Sequence, residues 1–161
     1  MAEGTYFKTD SRWILLGHET DESLMSSLAL PEVVELVPAE ITTRLERIKR
    51  ALRLSFVEYE LLDITLEYAL VTVELAFKQR YRQHVGKAPK RYPKYVALID
   101  WAEAEGLLSG LDNRANLLRR LRNSAVHPER DSFGGVAFMQ VFKCVFAVVN
   151  RLFSENCVSG R

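Results

Sequence analysis

Ile41-Thr42-Thr43-Arg44-Leu45-Glu46-Arg47-Ile48-Lys49-Arg50-Ala51-Leu52 decides the fold class. Ile41, Leu45, Ile48 and Leu52 recur at intervals of three and four, the repeat of one face of an α-helix. Arg44, Arg47, Lys49, Arg50 and Arg53 surround that stripe and stay in water. Downstream, Leu61, Leu62, Leu66, Ala69, Leu70, Val73 and Phe77 form a second helical face, which Val71, Thr72 and Leu75 widen. A face this wide implies contact with more than one neighbour. Between the two, Ser55-Phe56-Val57-Glu58 has the form of a capping box, so the chain either restarts there or continues as one long helix.

Outward from this pair the same logic marks further helices. Gly86 and Pro89 stop the second helix. Tyr92-Pro93 opens a third, with Leu98, Trp101, Ala102 and Leu108 inward and Gly106 and Gly110 near its end. Asp112 is placed to cap a fourth, with Leu117, Leu118 and Leu121 inward, and Pro128 disfavours helical geometry at His127. In the last helix Val136, Met139, Val141, Phe142, Val145, Phe146, Val148, Val149 and Leu152 face nearly every direction. It is therefore central to the bundle or meets a partner subunit. No segment alternates as a strand does. The expected fold is all-α, an up-and-down bundle of four to five helices near 39–84 (broken at 55 or continuous), 93–108, 113–126 and 136–153. It occupies residues 39–161. Residues 1–38 form an N-terminal extension of short helix or turns, in which Arg12-Trp13-Ile14-Leu15-Leu16 is one packed turn or a short strand and Pro31 opens a short helix through Val37.

Composition narrows the class. The chain has 161 residues, 48% hydrophobic and 27% charged, enough for a core without metals or disulfides. A formal net charge of +1 leaves any nucleic-acid contact to local patches. Cys144 lies in an apolar run and reads as a buried thiol; with Cys157 it forms no zinc-like spacing. No cofactor and no metal is expected. The segment Met1–Tyr6 lacks a basic start followed by an apolar stretch, so no signal peptide is read. The apolar runs are broken by Asp63, Glu67 and Glu74, or by Gln140 and Lys143, short of the roughly 18 clean residues of a membrane span. The expected location is the cytoplasm, away from membranes.

Two features carry chemistry. From Lys78 to Lys94 there are seven basic residues and no acidic one: Lys78, Arg80, Arg82, Lys87, Lys90, Arg91 and Lys94. Tyr81, Tyr92 and Tyr95 are interleaved. Cations neutralise phosphates and aromatic rings stack on unpaired bases, so the segment suits a polyanion such as RNA; the plainer reading is a solvated face and loop. Arg82, Lys87, Lys90, Arg91 and, further along, Arg119 are the candidate RNA contacts. Glu67 and Glu74 project on nearly the same side of the most apolar helix. One reading pairs them with an arginine such as Arg122, the other has Lys78 bind Glu74 in a solvent-facing stripe.

The second feature is Leu121-Arg122-Asn123-Ser124-Ala125-Val126-His127-Pro128. Arginine offers phosphate a fixed fork of donors, and histidine moves protons near neutral pH. Asn123 and His127, four apart, share a helix face. In the plainer reading Arg122 is a surface neighbour of Arg119 and Arg120, Asn123 ties down the helix end, and His127 caps it. The string resembles the Arg-x4-6-His motif of the HEPN superfamily (higher eukaryotes and prokaryotes nucleotide-binding), in which a polar residue commonly follows the arginine. Ile99-Asp100-Trp101-Ala102-Glu103-Ala104-Glu105-Gly106-Leu107-Leu108 is similar to what precedes that motif. The resemblance covers roughly 40–153 by helix pattern and 122–127 by motif. It implies a metal-independent endoribonuclease with Arg122, Asn123 and His127 as catalytic residues. It also implies a homodimer and a toxin–antitoxin or phage-defence setting with a protein antitoxin or defence partner. The alternative it leaves open is a non-catalytic dimeric binding or adaptor domain.

Overall fold

The computed structural model describes residues 8–111, 113, 116–120 and 135–154, with side chains from 138 onward in the last stretch. Among the described residues there are seven helices: α1 (Ser11–Leu15), α2 (Asp21–Leu28), α3 (Ala39–Leu54), α4 (Leu61–Val85), α5 (Tyr95–Ala104), α6 (residues 116–120) and α7 (Gly135–Leu152). The architecture is an all-α, up-and-down bundle. Its count corrects the expected four to five helices, because the segment before residue 39 contributes α1 and α2. Neither is visible to periodicity. α1 has five residues and buries one side chain, Trp13; α2 has eight and buries Leu24 and Leu28. What makes them helices is capping. The Asp10 carboxylate accepts from the Arg12 N–H at 3.0 Å, and Thr20 Oγ1 accepts from the Ser23 N–H at 3.1 Å, each satisfying a first-turn donor.

α3 buries the stripe read from its sequence: Ile41, Leu45, Ile48 and Leu52 are each 1% exposed or less. Each such aliphatic side chain contributes about 1.5–3 kcal/mol of transfer free energy as an upper figure. The break between α3 and α4 falls where expected, for a different reason. Ser55 does not cap a following helix: its hydroxyl donates back to the Leu52 carbonyl at 2.6 Å, and its own carbonyl accepts the Trp13 indole N–H at 2.6 Å. The next helix begins only at Leu61.

α4 is the axis of the bundle and packs against α3, α5 and α7. Thr65 and Thr72 lie in its buried face, where each hydroxyl bonds the carbonyl four residues back, at 2.6 and 2.8 Å. That local bond lets a polar side chain enter the core without an orphaned donor. Gly86, at φ +71°, ends the helix in the left-handed region that a residue with a Cβ enters only with strain. α5 stops at Ala104, short of the expected 108, because Gly106 takes φ +70° and turns the chain.

α7 is central. Phe142, Val145, Phe146, Val148, Val149 and Leu152 are all fully buried by the same chain. Of the two readings of its all-round apolar character, burial within one bundle accounts for these positions. Cys144 is buried, as expected. Residues 31–37, expected to hold a short helix, instead form a non-helical strap ending in a turn. The Asn150 side chain on α7 explains this. Its Nδ2 donates to the Glu32 carbonyl at 2.6 Å, and its Oδ1 accepts the Val34 N–H at 3.1 Å. The amide thus holds two backbone groups of the strap that a helix would have paired internally.

Candidate nucleic-acid interface

The basic run occupies the last turns of α4, the connecting loop and the start of α5. Arg82, Lys87, Lys90, Arg91 and Lys94 are exposed, and none has an ion-pair partner among the described residues. Five cations held this close together repel, and an anion relieves that repulsion. Lys78 differs: its ammonium lies 2.7 Å from Glu74, the i,i+4 pairing foreseen as one of two readings for that carboxylate. Glu67 stays exposed on the helix surface.

The three tyrosines part company. Tyr95 is buried, edge-on to Phe77 at 5.8 Å between centroids. Tyr81 is half-buried and edge-on to Trp101 at 5.1 Å. Both are packing groups that fix α5 on α4, so neither ring is presented for stacking on a base. Tyr92 is half-buried like Tyr81, and it lies in the loop before α5. It lines an open groove of about 380 Å³ with Glu74, Lys78, Pro93, Lys94, Tyr95 and Val96. His84, for which the sequence offers no context, lies edge-on to Trp101 at 5.2 Å between centroids and 3.8 Å from Glu105. The signal that could have separated the tyrosines is helical phase: Tyr81 follows Phe77 by four and so points inward.

The groove's floor is the N-terminus of α5. Lys94 occupies the capping position and supplies no side-chain acceptor. Among the described residues no group of three or more His, Cys, Asp or Glu side chains could hold a metal ion, and no helix is long and apolar enough to cross a membrane.

Arg122, Asn123 and His127 lie outside the described residues, as does Asp112. Arg119 is half-buried on α6, and its neighbour Arg120 is exposed. No family model, no curated protein and no solved structure matches the chain.

Proposed function

We propose that the chain is a metal-independent endoribonuclease that binds single-stranded RNA on the face running from Arg82 to Lys94. It works as a homodimer in the cytoplasm, in a toxin–antitoxin or defence setting. The observation that supports RNA binding is the cluster of exposed cations without carboxylate partners beside a groove holding Tyr92. Phosphates would sit against Lys87, Lys90, Arg91 and Lys94, with Arg82 and Arg119 extending the track. One base would stack on Tyr92. Cleavage rests on the resemblance of Arg122-Asn123-x-x-x-His127 to the HEPN motif.

In this reading the ribose 2′-oxygen attacks the adjacent phosphorus and the bond to the 5′-oxygen breaks. The products are a 2′,3′-cyclic phosphate and a 5′-hydroxyl. The nucleophile belongs to the substrate, so the chemistry requires only charge stabilisation and proton transfer. Arg122 stabilises the charge that grows on the phosphorane oxygens. His127 takes the 2′-OH proton or delivers one to the leaving oxygen, and a second copy of the chain supplies the other imidazole. Asn123 orients the phosphate or the ring. DNA lacks the 2′-OH and is bound without being cut.

The test incubates the purified protein with single-stranded RNA in excess EDTA, beside Arg122→Ala and His127→Ala. Cyclic-phosphate products that persist in EDTA and vanish in both variants support the reading. Cleavage unchanged in His127→Ala removes the histidine from the mechanism. RNA binding without cleavage by the folded protein assigns the chain to the non-catalytic alternative.

A further inference from the structure

A second group of cations lies on α3, outside the basic loop. Arg47 and Arg50 are exposed and have no ion-pair partner among the described residues. Arg44 is half-buried, with its guanidinium 5.6 Å over the Tyr68 ring and 3.7 Å from Glu40. Three residues advance a helix by about 4.5 Å and leave it about 60° short of a full turn. Arg44, Arg47 and Arg50 therefore form one winding row, on the side away from the buried Ile41, Leu45, Ile48 and Leu52. The other two cations of α3 are engaged elsewhere. Lys49 pairs with Glu46 at 3.0 Å beside Phe146, and Arg53 holds Asp21 at 2.9 Å.

The row joins the basic loop. Glu40 accepts from Gln79 Nε2 at 2.7 Å, which sets the first turn of α3 beside the last turns of α4. Arg82 follows Gln79 by three, and from it the exposed cations continue through Lys87, Lys90, Arg91 and Lys94. Carboxylates do not close this path. Glu40 is shared between Gln79 and Arg44, and Glu46 is taken by Lys49. Glu67 is turned about 100° from Tyr68, which marks the side of α4 that meets Arg44. Between the arginines the exposed neighbour is Thr43, with no large apolar side chain. The centre of a protein interface is apolar and poor in charge, so the row suits a chain of phosphates and not a protein partner.

We propose that Arg44, Arg47 and Arg50 form a second RNA-backbone track on α3, onto which a strand seated at Tyr92 extends. The inference rests on RNA binding in the proposed function, and neither on cleavage nor on dimerisation. From Arg50 to the end of α4 the two antiparallel helices cover about 24 Å, roughly seven stacked nucleotides. A tetranucleotide held by stacking on Tyr92 is too short to reach the row, while a strand of about 15 nucleotides spans both.

The test replaces Arg44, Arg47 and Arg50 together by glutamine, which keeps helix propensity. Circular dichroism checks the helix content. If the triple variant loses helix, Arg47→Gln with Arg50→Gln, both exposed, repeats the test. Fluorescence titrations with the two RNAs at several salt concentrations read the result. The tetranucleotide should bind within about twofold of wild type, because charges more than a Debye length of about 10 Å away are screened. The longer strand should lose about 10-fold in affinity at low salt, and about 0.7 in log–log salt slope for each phosphate contact removed. Equal loss for both RNAs would be an effect of general charge and overturns the track. Unchanged affinity and slope for the longer strand overturn it as well, and leave the row to an acidic protein. A wild type that binds neither RNA overturns the RNA-binding reading itself, and this inference with it.

Discussion

The two ends of α4, a helix about 37 Å long, are built on opposite plans. At its N-terminal end Arg12 gathers two carboxylates into one network. The Arg12 guanidinium takes Asp10 at 2.6 Å and Glu60 at 2.7 Å and lies 4.2 Å over the Tyr59 ring. The Asp10 N–H bonds the Phe56 carbonyl, and the Trp13 indole bonds Ser55. At the C-terminal end five exposed cations have no carboxylate among the described residues, and the connecting loop carries most of them. A net charge of +1 hides this, because carboxylates elsewhere in the chain offset the cations of that end. The difference separates a clamp from a surface: substitutions at the paired end should register in stability, and those at the cationic end in binding.

Trp13→Ala is the strongest blow to the clamp. It empties a fully buried site under Leu24, Leu28 and Leu52 and orphans the Ser55 carbonyl. The expected loss is about 3–5 kcal/mol in chemical denaturation. A loss below 1 kcal/mol would mean that α1 is not part of the cooperative unit.

The opposite contrast comes from replacing Lys87, Lys90, Arg91 and Lys94 together by glutamine. Stability should stay within about 0.5 kcal/mol. The salt dependence of single-stranded RNA binding should flatten by about 0.7 in log–log slope for each lost phosphate contact. An unchanged slope from fluorescence titrations at several salt concentrations would remove this face from the binding site.

Asn150→Ala is expected to cost about 1–3 kcal/mol, since two backbone groups of the strap lose their partner at once. Asn150→Asp should be at least as damaging: one oxygen can still accept from Val34, while the other meets the Glu32 carbonyl. Parity of Asn150→Asp with wild type would contradict the assigned amide orientation.

The smallest effect is acid sensitivity of the clamp. Hydrogen bonding to Arg12 holds both Asp10 and Glu60 down at about 2. Depressed carboxyls stabilise the folded state fully above their unfolded values near 4 and lose that contribution as pH falls through about 2. Glu58 works the other way, its proton favoured by the hydrogen bond to Glu60, and offsets part of the gain. The melting-temperature gap between wild type and Arg12→Ala should therefore be widest at neutral pH and narrow between about pH 4 and 2. A gap independent of pH would assign the effect to the ring contact with Tyr59 instead.

Legibility followed the size of the repeating signal. Ile41, Leu45, Ile48 and Leu52 announce α3 because four large side chains at helical spacing outweigh any polar neighbour. α2 has only Leu24 and Leu28 to show, and its start depends on one hydroxyl, that of Thr20. The Pro31 reading failed because it weighed local preference alone. The strap's conformation is set by Asn150, 116 residues beyond Val34. In the candidate interface, the charges were legible because nothing local pairs them. The tyrosines were not, because residue type alone does not say whether a ring faces Phe77 and Trp101 or water.

Val34 is 36% exposed, and its amide proton is held by a side chain rather than by a helix. Exchange of that proton with solvent deuterium therefore does not require α7 to unwind; separation of one amide from the strap is enough. The strap connects α2 to α3, and α2 packs on both α3 and α7. If the first three dozen residues lift away as a unit, Val34 and the α2 amides should exchange at one common rate, slower than frayed ends and faster than Phe142 or Val145. A Val34 rate well above that of α2 would show the strap opening alone while the helices beneath it stay seated.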